Sequence, residues 1–132
     1  MPVDRVTIIN VQPPQNTDIN SELQWLGATL GLFGQRDKDS SCFRIFITLV
    51  RAAQHNNALS SDEIADYCKL SRGTVVHHLN KLRDSGLIQS ANTGYQLSAP
   101  TIEQSLDQLE EELTEMIALM RAVAKDIDKK LL

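Results

Sequence analysis

Residues 59–86 read LSSDEIADYCKLSRGTVVHHLNKLRDSG, and this stretch contains two helix starts. Ser60 is placed to cap the amide of Glu63, and Glu63 to reach back to the Ser60 amide, the reciprocal pair of a capping box. Leu59 and Ile64 then occupy the two positions of a hydrophobic staple. Lys69-Leu70-Ser71 makes a tight turn after Cys68. Ser71 opens a second helix as its N-cap, with Leu70 against Val75 as another staple. That helix runs from Arg72 to Ser85 and stops at Gly86, which takes the left-handed conformation that ends a helix.

Two short helices joined by a turn of about three residues describe a helix-turn-helix. Leu87 to Ser90 and Tyr95 to Ser98 follow as two short strands, with Ala91-Asn92-Thr93-Gly94 turning between them. A hairpin in that place is a wing. The run Ile64-Ala65, Leu70-Ser71-Arg72-Gly73-Thr74-Val75, His78-Leu79, Leu82 and Gly86-Leu87-Ile88 resembles the winged helix core of ArsR-like and MarR-like regulators. The resemblance covers about 40 of the 132 residues. It implies transcriptional regulation but no particular target or effector, because the scaffold hosts many regulators. No CxC pair stands in the first motif helix, so the sequence departs from the metal-sensing ArsR pattern.

Val75, Leu79 and Leu82 are spaced four and three apart and must face the core. That turns Arg72, Gly73, Val76, His77 and Asn80 to the face that meets base edges in the major groove. Arg72 suits guanine, Asn80 adenine and Val76 a thymine methyl, while Gly73 lets the backbone come close. Ser71, Thr74 and the open amides at the helix start suit a phosphate. His78, Lys81 and Arg83 lie at the flanks, where phosphate contact is expected; Arg83 has the alternative of pairing with Asp84 or a neighbouring acid. His77 and His78 have the alternatives of a solvated pair or a pH sensor. On the wing, Asn92 and Thr93 reach for sugar or phosphate, but there is no Arg or Lys to strengthen them.

The net charge of −4 is not spread evenly. Residues 1–100 carry nine acids and nine bases, whereas residues 101–132 carry eight acids and four bases. Lys69, Arg72, Lys81 and Arg83 meet no acid within 69–83, and local charge is what binds phosphates.

The acidic segment is itself a helix. Thr101 to Leu131 contains no Gly or Pro, and Pro100 precedes it. A heptad with Leu106, Leu113, Met120 and Ile127 at a places Ile102, Leu109, Met116, Val123 and Lys130 at d, with Lys130 the one exception. A helix of about 46 Å outruns a winged helix core. A second copy is the economical partner for Ile102, Leu106, Leu109, Leu113, Met116, Met120, Val123 and Ile127. The alternative is folding back along a glycine-bearing helix expected over 21–34. Ile117 and Ala124 widen the stripe, and Glu110-Glu111-Glu112 with Glu115 form a solvated face.

Elsewhere, residues 1–20 form an extended arm with a β-like run at Val6, Ile8, Ile9 and Val11, placed on a sheet edge or on a partner. Gln35 to Ser40 is a charged linker, with Asp39 or Ser40 capping a central helix to about Gln54. Cys42 and Cys68 read as small hydrophobes and no metal site is expected. No secretory leader or membrane span is visible, so cytoplasm is the default. The expected organisation is therefore arm 1–20, winged helix-turn-helix 21–100 and dimerisation helix 101–132, mostly α with a small β-hairpin. The expected function is a sequence-specific duplex-DNA-binding regulator acting as a homodimer, without a cofactor and not an enzyme. The alternative is a winged-helix protein-interaction module in a transcription or chromatin assembly. Any effector would bind between helix 21–34, the C-terminal helix and the core.

Overall fold

The computed structural model describes residues 3–33 and 40–132. Helices α1 (Ile19–Thr29), α2 (Ser41–Ala53), α3 (Ser61–Cys68) and α4 (Arg72–Asp84) precede a hairpin of β1 (Ile88–Ala91) and β2 (Gly94–Leu97), and α5 (Ile102–Leu131) follows. The hairpin is antiparallel, pairing Ile88 with Leu97 and Ala91 with Gly94. Mostly helical with a wing and a long last helix, this is a winged helix-turn-helix.

The polar caps that start α3 and α4 and the left-handed glycine that ends α4 are present. Ser60 Oγ accepts from Glu63 N at 3.0 Å and Glu63 Oε1 accepts from Ser60 N at 3.0 Å, completing the capping box. Between α3 and α4, Lys69 is left-handed (φ 55). Leu70 N then reaches Ala65 O at 3.0 Å and Lys69 N reaches Asp66 O at 3.4 Å, a Schellman closure on a non-glycine residue. Arg44 Nη1 from α2 donates to Cys68 O at 2.9 Å, which satisfies another carbonyl at that end and fixes α3 on α2. Gly86 ends α4 with φ +83.

The core gathers Ile45, Phe46 and Leu49 of α2, Ile64 of α3, Val75, Leu79 and Leu82 of α4, and Leu87, Ile88 and Leu97 of the wing. Cys42 and Cys68 are buried among them. The three α4 positions are spaced to point one way, and their complete burial fixes which face of that helix is left to solvent.

Several boundaries differ from the sequence reading. The helix expected over 21–34 is α1, which starts earlier because Asp18 Oδ1 accepts from Ser21 N at 2.9 Å. It ends at Thr29, because Gly31 turns left-handed (φ +68) and redirects the chain. Phe33 therefore folds back onto Gly27, where any Cβ would meet its ring. There it packs edge-on against Phe43 at 5.7 Å. Asp39 and most of the expected linker lie outside the described residues. Ser40 precedes α2 in the left-handed region and makes no side-chain cap. The arm holds no strand over 3–17. Its ladder partners are replaced by scattered bonds, Ile9 N to Thr29 O at 2.7 Å and Trp25 Nε1 to Val11 O at 3.1 Å.

The wing gains a contact that spacing did not announce. Leu59 exchanges both backbone hydrogen bonds with Tyr95, at 2.9 and 2.7 Å, so the residue that staples α3 also extends the sheet. Gly94 makes room for it, since a Cβ there would collide with the Leu59 carbonyl.

Candidate nucleic-acid interface

The solvent face of α4 is defined by what the core does not take. Arg72, Gly73, His77, Asn80 and Lys81 are exposed, while Thr74, Val76, His78 and Arg83 are half-buried. Val76 and His78 thus have less reach than the helical wheel implied.

At the helix start, Ser71 Oγ accepts from Thr74 N at 3.2 Å and donates to Thr74 Oγ1 at 2.8 Å. Capping consumes the Ser71 hydroxyl and leaves the Thr74 hydroxyl proton to point elsewhere. The amides of Arg72 and Gly73 belong to the first turn, which has no carbonyl to bond within the helix. Nothing lies within 4 Å of a Cβ built on Gly73, so the glycine answers no packing demand inside the subunit.

Arg72 meets a carboxylate after all. Its Nε lies 3.5 Å from Asp62 Oδ1 on α3, with both side chains more than 70% exposed. An ion pair that open to water is worth about 0–1 kcal/mol, so Asp62 orients Arg72 without locking it. The acid was missed because it stands outside the 69–83 window and reaches across the turn.

The flanking cations are more committed. Lys81 Nζ donates to Leu32 O at 3.0 Å, which ties α4 to the segment after α1. Arg83 donates to Asn80 Oδ1 at 2.9 Å and to Ser90 Oγ at 3.2 Å. The alternative of an ion pair with Asp84 or a neighbouring acid is not the arrangement found among the described residues. His77 and His78 stack edge to face with ring centroids 5.3 Å apart. Asn92 and Thr93 are exposed at the wing tip.

The eight apolar positions of α5 divide in two. Leu109 is buried, and Ile102, Leu106 and Leu113 pack against the subunit's own core. Met116, Met120, Val123 and Ile127 are between 49% and 60% exposed, alongside Ile117 and Leu119. Leu26 and Thr29 of α1, with Leu30 just after it, line a groove together with Leu106, Leu109, Leu113 and Ile117 of α5.

A capped helix-turn-helix, a wing and an open polar face on the second motif helix define the class: a winged helix-turn-helix DNA-binding transcriptional regulator. Residues 53–90, from the end of α2 into β1, match the family described as bacterial regulatory protein, arsR family. That match implies a binding rather than a catalytic role. Neither a curated protein nor a solved structure matches the chain. Among the described residues, no group of three His, Cys, Asp or Glu is placed to hold a metal, and no helix is long and apolar enough to cross a membrane.

Proposed function

We propose that the protein is a homodimeric, sequence-specific regulator that inserts α4 into the major groove of duplex DNA. The carrying observation is the open face of Arg72, Gly73, His77 and Asn80 on a helix whose opposite face is fully buried. Arg72 reads guanine by paired hydrogen bonds, and Gly73 admits the groove edge without a side chain between. His77 and Asn80 complete the base-facing row, with Val76 at its margin. Ser71, Thr74, His78, Lys81 and Arg83 hold phosphates, and Asn92 and Thr93 touch the backbone from the wing.

The second copy docks on the free half of α5. Met116, Met120, Val123 and Ile127 continue the heptad beyond the point where the subunit's own core ends. A heptad sustained past the subunit's own core is what a second copy of the same helix matches. Two-fold symmetry then gives two recognition helices reading a pseudo-palindrome in successive major grooves, about 34 Å apart.

Selection of bound fragments from a genomic library, followed by footprinting, tests the reading. Recovered sites with two inverted half-sites about one helical turn apart support it. Failure to enrich any duplex sequence sinks it in favour of a protein-interaction module. The acid total and a wing without Arg or Lys are what such a module would share.

A further inference from the structure

The N-terminal arm is bound to the recognition helix, and this has a consequence for DNA. Asp4 N and Arg5 N both donate to Asp84 O at 2.9 Å, occupying a carbonyl at the open end of α4. Val3 and Val6 pack on the core, and Val3 fills the space that a Cβ on Gly86 would need. The arm is therefore pinned by its backbone and its valines. None of those contacts uses the Arg5 side chain.

Arg5 and Thr7 line a cleft of about 480 Å³ together with His77, Asn80, Lys81 and Asp84 of α4. Asp4 and Val6 lie instead along the groove beside α5, which Arg5 also borders. Arg5 is exposed and makes no ion pair among the described residues. In the same cleft, Lys81 is held in place by the Leu32 carbonyl. The cleft lining thus carries two cations and a histidine against one acid, Asp84, while Glu112 and Glu115 line the groove beside α5.

We propose that the arm belongs to the DNA interface, with Arg5 and Lys81 together clasping a backbone phosphate beside the groove that α4 enters. The inference rests on the DNA-binding reading above and adds a contact from outside the helix-turn-helix. A phosphate suits the cleft because two cations from different segments line it, and the pinned arm loses little freedom on binding. Such a contact fixes register without reading sequence.

The test is a salt titration of duplex binding by Arg5→Ala, Arg5→Lys and Lys125→Ala, with Arg72→Ala for comparison. Lys125 lies on the α5 face opposite Met120 and controls for loss of one positive charge. Arg5→Ala is expected to weaken selected and random duplexes alike by about threefold to tenfold, and to lower the log–log salt slope by about one. Arg5→Lys should recover most of both. Arg5→Ala behaving like Lys125→Ala, while Arg72→Ala still weakens binding, overturns this proposal and leaves the DNA-binding reading standing. Titration calorimetry with inorganic phosphate separates the remaining case. Saturable phosphate binding lost in Arg5→Ala, with DNA affinity unchanged, would assign the cleft to a free anion and overturn the proposal.

Discussion

Arg83 Nη1 lies 3.2 Å from Ser90 Oγ, so the last turn of α4 is bonded directly to the first strand of the wing. The same guanidinium holds Asn80 Oδ1 at 2.9 Å. One cation therefore ties the wing to α4 and holds the side-chain amide of Asn80.

Arg83→Ala should leave the fold intact, since the bonds it loses are exposed. DNA affinity should fall by about 1–3 kcal/mol, with part of the loss appearing as relaxed preference at the base pair Asn80 faces. Binding to a panel of single-base variants measures both. A uniform loss across the panel would reduce Arg83 to a phosphate contact.

Two glycines should respond in opposite ways to alanine. Gly73 sits in a helix with open space around it, so Gly73→Ala should stabilise the fold by up to about 1 kcal/mol while weakening DNA binding. Gly94→Ala drives a methyl into the Leu59 backbone and should destabilise by more than about 1 kcal/mol. Thermal melts of the two variants decide the signs.

Along α5 the effect of a substitution should depend on position. Leu109→Ala opens a cavity in the subunit's own core and should cost about 2–5 kcal/mol. Met120→Asp touches no core and should give folded monomers in sedimentation. A dimer that survives Met120→Asp would place self-association elsewhere.

The Glu63 carboxyl is held below its ordinary value by the hydrogen bonds it accepts at Ser60, and Asp18 likewise by Ser21. A depressed folded value means the contribution is present above the unfolded value and is lost as pH falls through the folded one. Stability of the wild type should therefore exceed that of Glu63→Gln at neutral pH, and the gap should close in acid. Denaturant midpoints at a series of pH values give the curve; a constant gap would mean the carboxylate charge plays no part.

Removing Asp62 should help DNA binding slightly. Asp62→Asn releases Arg72 and takes a negative charge away from the phosphates, raising affinity by less than about 1 kcal/mol. Weaker binding would show instead that Asp62 positions Arg72 for its contact.

The helix-turn-helix was legible because its signals are local. Ser60 with Glu63 and Ser71 with Thr74 bond within three residues, and Val75, Leu79 and Leu82 share a face at a fixed period. What escaped depends on distant neighbours. Lys69 adopts the left-handed turn without being glycine, because the Schellman bonds and Arg44 close it. The end of α1 was placed too late because Phe33 continues the apolar period yet packs on Gly27 from outside the helix. Nothing in the arm's residue types says that its amides bond Asp84, since that contact is made by backbone alone. On α5, the heptad runs evenly through Leu113 and Met116, and only the position of the core shows where one environment gives way to the other.

Fluorescence anisotropy on a selected duplex, at several salt concentrations, with wild type and Arg72→Ala, decides whether the open face of α4 reads duplex DNA through Arg72. Affinity should fall steeply with salt and drop by about 1–3 kcal/mol in the variant, more on the selected duplex than on a random one. Salt-insensitive binding, or equal affinities for wild type and Arg72→Ala, would contradict that reading.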